Sequence, residues 1–247
     1  MSTIYILWLR QLKRYLRSRS RIVGSAAQPL LFLLALGFGF GPIYRAAGGG
    51  NYMQFLAPGI ISMGILFTAI FSGIEIIWDR QFGFLKETLV APVSRLHIMI
   101  GRTLGGATVA TLQGIIVFFV AFLAGFRPGT ALLPLALLFM ILTAILFTAL
   151  GTAIASLLND MQGFQLIMNF LIMPIFFLSG ALFPLQGLPK ALVVVASVNP
   201  LAYGVDGLRG TLVNSAHFGL TTDFLVLGII ASVLLIIGGY LFSKIQI

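Results

Sequence analysis

The residues that could do chemistry in this chain are few, and their spacing excludes most of it. A phosphate-gripping P-loop needs Gly-Lys followed by Ser or Thr, so that the lysine reaches the terminal phosphates. The four lysines, Lys13, Lys86, Lys190 and Lys244, are preceded by Leu12, Leu85, Pro189 and Ser243, so the chain holds no such loop. There are no cysteines, which excludes a disulfide framework and any thiolate metal site. His97 and His217 are the only histidines, far apart and expected at opposite ends of the molecule, so each reads as a surface residue rather than a zinc ligand. No Gly-x-Ser-x-Gly elbow occurs. Carboxylate clusters suited to metal or phosphate chemistry are also missing, which argues against a membrane-embedded transferase. The expectation is a non-catalytic chain with no cofactor of its own.

The body that carries these residues belongs in a membrane. Of 247 residues, 59% are hydrophobic and 9% charged, with a mean hydropathy of +1.08. Soluble domains average roughly 25% charged residues, so too few charges remain to coat a water-facing surface. The net charge of +9 reads as basic loops meeting anionic headgroups, not as nucleic-acid binding. Six uncharged or nearly uncharged stretches are long enough to cross, at about 22–42, 55–78, 96–126, 131–158, 164–183 and 224–243. Period-two alternation is absent, so helices rather than a barrel are expected. The fold class is therefore all-α integral membrane, one domain over 1–247, with six transmembrane helices.

Orientation follows from the basic residues. Eleven lie in the N-terminal segment, the loop between the second and third spans and the C-terminus; Arg45, Arg127, Lys190 and Arg209 fall on the other side. The positive-inside bias places both termini in the cytoplasm. Residues 1–21 form an expected interfacial helix, with Arg10, Lys13, Arg14, Arg17 and Arg21 on one face and Ile4, Tyr5, Trp8, Leu12, Tyr15 and Leu16 opposite. This basic stretch is long, and no small-residue cleavage pattern follows a short apolar core, so it reads as retained rather than as a signal peptide. Glu75 is the one charge expected inside a span, as an interfacial carboxylate near Arg80. Were the chain a self-sufficient ion-coupled transporter, the alternative to an externally driven one, Glu75 would have to carry the proton.

Residues 79–95 stand out as a cytoplasmic loop. Phe82, Leu85 and Leu89 fall at helical spacing, Pro92 stops the turn, and Ser94 is placed to cap the next helix. A short amphipathic helix with exposed aromatics is suited to docking in a groove. After it, Pro184, Pro189 and Pro200 divide 184–223 into pieces expected to be too short to cross, with Leu188–Val198 either interfacial or re-entrant. In the fifth span Asn169, Pro174 and Ser179 sit among Phe170, Phe176 and Phe177, a greasy wall with a loosened helix. Gly101 and Gly105 allow close helix approach.

The order of these motifs resembles that of type 2 ATP-binding-cassette (ABC) permeases. The likeness rests on Asp79-Arg-Gln-x-Gly, Leu89-Val-Ala-Pro-Val-Ser-Arg95 and Gly101-Arg102, with Tyr52-Met-Gln-Phe-Leu-Ala-Pro-Gly59 before them. Asn199-Pro-Leu-Ala-Tyr203 and Gly207-Leu-Arg-Gly210 follow. The nearest subgroup looks like the drug-resistance and lipo-oligosaccharide exporters. The resemblance implies two permease chains, here as a homodimer, in the cell (inner) membrane, above two ABC ATPase subunits that carry the ATP and Mg. It implies that Arg80, Phe82, Gly83, Phe84, Leu85, Lys86, Glu87, Leu89, Pro92 and Arg95 couple this chain to the ATPase. It further implies that spans one, two and five line a path for amphipathic drugs, lipids or lipid-linked glycans, for which Phe32, Phe67, Asn169, Pro174, Phe176 and Phe177 are the candidates. Gln81 stands where the family often has Glu.

Overall fold

The computed structural model describes residues 3–46, 48, 50–85, 88 and 93–244, with Arg21 described by its backbone alone. Among the described residues ten helices run in order: α1 Thr3–Arg17, α2 Arg19–Ala46, α3 Tyr52–Phe71, α4 Ile74–Gln81, α5 Arg95–Leu123, α6 Leu133–Leu157, α7 Met161–Phe177, α8 Lys190–Val198, α9 Pro200–Val213 and α10 Leu220–Ser243. No strand occurs among the described residues. Among the described residues five stretches are long and apolar enough to cross a membrane, Ile22–Ala46, Tyr52–Gln81, Arg95–Leu123, Leu133–Leu157 and Leu220–Ser243, or six if the bent pair α8–α9 counts as one. α7 is a shorter apolar helix of 17 residues, about 25 Å long against a hydrocarbon core of about 30 Å. It ends at Phe177, not at 183 as the sequence suggested, and Leu178 to Phe183 form a turn.

The segment 184–223 is divided at Pro200 as expected, into α8 of nine residues and α9 of fourteen. Pro200 occupies the first position of α9, where its missing N–H costs nothing. α9 is fourteen residues long and buried along most of its length. It meets α8 at a 92° bend. Asn199 makes the corner: its side-chain oxygen accepts from Leu201 N at 3.0 Å, and its amide donates to the Ile175 carbonyl at 2.6 Å. The Tyr203 hydroxyl donates back across the corner to the Ser197 carbonyl at 2.7 Å. The Asn-Pro-Leu-Ala-Tyr motif is thus the construction of one sharp turn.

α3 lies at the centre, packed by α2, α5, α6 and α9, whereas α10 packs on α6 and α5 from outside. Close approach at the centre depends on small residues. A Cβ on Gly73 would lie 2.4 Å from the Gly151 carbonyl oxygen, and one on Gly59 would lie 2.4 Å from that of Ala181. α1 lies along α5 rather than standing apart from it. Gly101 and Gly105 make that possible: a Cβ there would come within 3.0 Å of the Leu7 Cβ and 2.6 Å of the Gln11 Cβ. Trp8 Nε1 donates to Thr108 Oγ1 at 3.0 Å and the Tyr15 hydroxyl to Gln113 Oε1 at 2.7 Å, so the rings of α1 are pinned to the bundle. The expected single helix over 4–21 is divided at Ser18, and Arg19 already belongs to α2.

Candidate functional site

At one end of the bundle, α1, α4 and the first turns of α5 come together around a buried carboxylate. Asp79 sits near the end of α4, one side-chain oxygen accepting from Arg10 Nη2 at 3.0 Å and the other from Arg102 Nη2. Arg102 is only 4% exposed and Asp79 5%. Removing one partner would leave a buried charge uncompensated, a cost of about 3–5 kcal/mol. Beside it, Arg14 approaches Glu75 at 3.7 Å. Two cation–π contacts repeat the pairing: Arg14 over Trp78 at 5.4 Å and Arg10 over Phe84 at 5.9 Å. Long side chains of α1 thus reach α4 at Glu75, Trp78 and Asp79, and the turn beyond it at Phe84.

These contacts correct two expectations. Glu75 pairs with Arg14, not with Arg80. It is not the only charge within the spans, because Asp79, Arg102 and Asp223 are also buried there. Arg80 donates to the Leu158 carbonyl at 3.0 Å and the Ser156 carbonyl at 3.3 Å, and to Asn159 Oδ1; its side chain ties α4 to the α6–α7 turn inside the chain. Sequence reasoning passed over Asp79 as one letter of a motif. The signal was a second carboxylate one turn after Glu75, in a chain with fifteen basic residues and six acidic ones.

The turn after α4 sorts the candidate coupling residues by exposure. Gly83 has φ +82°, a conformation that side-chain-bearing residues rarely adopt, and it breaks the helical register after Gln81. Phe82 is consequently 72% exposed and Phe84 53%, while Leu85 turns inward at 1%. The expected shared face of Phe82 and Leu85 does not form. Helical backbone resumes at Phe84, and the Thr88 hydroxyl donates to the Phe84 carbonyl at 2.8 Å. Lys86, Glu87, Leu89 and Pro92 lie outside the described residues. Ser94 caps α5 as expected, accepting from His97 N at 3.3 Å. Arg95 Nη1 donates to the Ser243 carbonyl at 2.6 Å, joining the start of α5 to the end of α10. The two chain ends and the exposed turn thus share one end of the molecule.

The candidate path residues distribute over α2, α3 and α7. Phe32 meets Phe176 edge-on at 6.5 Å between centroids, and Phe176 meets Phe177 at 5.5 Å. Phe67 stacks on Phe71 at 6.4 Å, and Phe71 abuts Phe164. On α7 the buried stripe is Phe164, Met168, Ile172 and Phe176. Asn169, Pro174 and Phe177 lie on its exposed face. Between α2 and α3 lies a cavity of ≈ 230 Å³ lined by Ser25, Gln28, Phe67, Thr68 and Phe71, among others.

At the opposite end Arg209, counted from sequence as a loop charge, is buried in α9. Its Nη2 donates to the Gly180 carbonyl at 3.0 Å, and its guanidinium lies 4.0 Å over the Phe55 ring. Asp206 accepts from His217 N and Phe218 N at 2.7 Å each. His97 and His217 are both exposed, at opposite ends. Among the described residues no group of three or more His, Cys, Asp or Glu could hold a metal ion.

A family model described as "ABC-2 type transporter" matches residues 2–213. The chain belongs to the ABC-2 type transporter family. Among curated relatives, a "Nodulation protein J" of Rhizobium leguminosarum bv. viciae is 30% identical over 223 residues, covering 87% of this chain and 86% of its own. A "Putative transport permease ycf38" of Cyanophora paradoxa is 30% identical over 258 residues, covering 98% and 88%. Another from Porphyra purpurea is 30% identical over 246 residues, covering 93% and 83%. The ABC-2 assignment makes this chain a multi-pass transport permease, with the all-helical fold expected from its sequence.

Proposed function

We propose that this ABC-2 permease is the membrane half of an ATP-driven exporter and takes its work from a separate ATPase chain through the Phe82–Phe84 turn. The observation that carries this is the pair of exposed aromatics on a turn whose root, Asp79, is clamped to both α1 and α5. An ATPase pushing on that turn would move α4 and, through the buried ion pairs, two further helices at once. ATP and Mg would reside on the ATPase. The basic end, with both termini, would face the cytoplasm across the cell's inner membrane. Eleven of fifteen cations in the segments assigned to that side support the orientation.

A second copy of this chain would pair across the exposed faces of α2 and α7. There Leu31, Phe38, Leu166 and Phe170 leave much apolar surface uncovered, and Asn169 is a polar group that gains little from facing lipid. Phe32, Phe67, Asn169, Pro174, Phe176 and Phe177 would border the path between copies. The substrates that suit such walls are amphipathic: drugs, lipids or lipid-linked glycans. A nodulation protein among the relatives favours the last group. The α8–α9 pair would close the outer end as a re-entrant hairpin.

The test is reconstitution with and without an ABC ATPase chain that co-purifies with this permease. Transport should require both chains and ATP, and Phe82→Asp with Phe84→Asp should abolish association while leaving the melting temperature unchanged. Transport by the permease alone, or undiminished association of the double variant, would overturn the reading.

A further inference from the structure

Asp223, in the first turn of α10, is fully buried at 0% exposure. A carboxylate in that position ordinarily takes hydrogen bonds from N–H or O–H groups, because an unpaired charge away from water is costly. Neither oxygen of Asp223 accepts one, and neither is open to solvent. Its own N–H is already spent on the Gly219 carbonyl at 3.0 Å, and Gly219 begins α10 without a side-chain cap. What the carboxyl meets is a second one. Asp206 of α9 lies within hydrogen-bond reach of it. Asp206 is 3% exposed, and its charge is met by the His217 and Phe218 N–H groups.

The helices packed on α10 are α6, α9 and α5. α6 carries no charged or titratable residue, and on α5 Arg95, His97 and Arg102 all lie in the first turns, at the basic end. α9 brings Tyr203, Asp206 and Arg209. The Tyr203 hydroxyl donates to the Ser197 carbonyl and Arg209 to that of Gly180. Among the described residues no cation forms an ion pair with Asp206 or Asp223. In the nearby loops the His217 ring lies against Phe218, and Arg127 lies over Phe122. Two carboxylates in one buried site do not both ionise without a cation or a shared proton. Calcium or magnesium takes about six oxygens or more, whereas the two unengaged oxygens here belong to one residue and are closed to the waters that would complete such a shell. A proton needs only the two carboxyls. We infer that Asp206 and Asp223 share one proton, which Asp223 donates to Asp206, and that this bond latches α10 to α9 at the end opposite Asp79. Loss of the proton sets two negative charges face to face and opens the latch. The folded pair holds a proton that the unfolded carboxylates release, so stability falls as the pH rises. The latch involves neither the Phe82–Phe84 turn nor the transported molecule, so it stands independently of the exporter reading.

The experiment compares the melting temperature of the full chain in detergent at about pH 6 and about pH 9. Between the two, the parent should lose on the order of 5 °C more than Asp223→Asn, whose amide donates to Asp206 at either pH. Asp206→Asn supplies the same donor from the other side and should flatten the response in the same way, which covers a failure of the first variant to fold. Infrared spectra at neutral pH should show a carboxylic-acid C=O band in the parent that is absent from both variants. Equal pH responses in the parent and the variants, or no such band in the parent, overturn the inference. Loss of the response in His217→Gln assigns it to the imidazole and overturns it as well. A melting temperature raised by calcium or magnesium in the parent but not in Asp223→Asn gives the pair to a metal cation, and likewise overturns it.

Discussion

The two ends of this permease hold buried arginines in opposite ways. At the basic end Arg102 is matched by a carboxylate, Asp79, which also takes Arg10 from a third helix. At the other end Arg209 is held by a backbone carbonyl and an aromatic face, and Asp206 by backbone amides. Side-chain ion pairs join elements that are otherwise separate helices and let force pass between them. Backbone contacts fasten a corner to the chain beside it. On the proposed function, the first arrangement would transmit motion and the second would keep its shape.

If that contrast is right, the largest loss should follow from breaking the clamp. Asp79→Ala leaves Arg102 buried without a counter-charge and should cost about 3–5 kcal/mol, read as a lower melting temperature in detergent. Arg10→Ala should cost much less, because Arg10 is 41% exposed and solvent screens its share. Next comes the rigid end. Gly59→Ala would drive a Cβ into the Ala181 carbonyl, and overpacking of this kind costs about 1–3 kcal/mol. Asn199→Ala removes the cap of α9 together with the bond to Ile175, and should cost about 1 kcal/mol while leaving ATPase association intact. Smallest in stability is Phe82→Ala, expected within about 0.5 kcal/mol of the parent because the ring is exposed, yet it should weaken ATPase binding by at least tenfold if the ring is a central anchor. Equal stability losses for Asp79→Ala and Arg10→Ala would dissolve the clamp.

Much of this architecture was legible in the sequence because membrane physics acts locally. A run of twenty apolar residues announces a span without reference to any other part of the chain, and five of the six expected spans match helices to within a few residues. Ser94 capped α5 for the same local reason. The clamp was not legible, since Asp79 meets Arg102 across 23 residues and Arg10 across 69. Nothing in the spacing of those residues distinguishes a buried pair from two loop charges. Arg209 failed in the same way, counted as a loop charge when packing had buried it. Pro200 was legible by contrast: it divides the segment by opening α9 at its first position, after the bend from α8. Leu85 was assigned to the docking face because helical spacing was carried through Gly83, whose left-handed backbone ends that register.

The central claim is that work enters through Phe82 and Phe84. Because the chain has no cysteine, a single one can be placed at will and armed with a short crosslinker in the assembled transporter. Phe82→Cys and Phe84→Cys should crosslink to the ATPase chain, while Phe170→Cys on the exposed face of α7 should not. Crosslinking to the ATPase from position 170 alone, with positions 82 and 84 silent, would contradict the account.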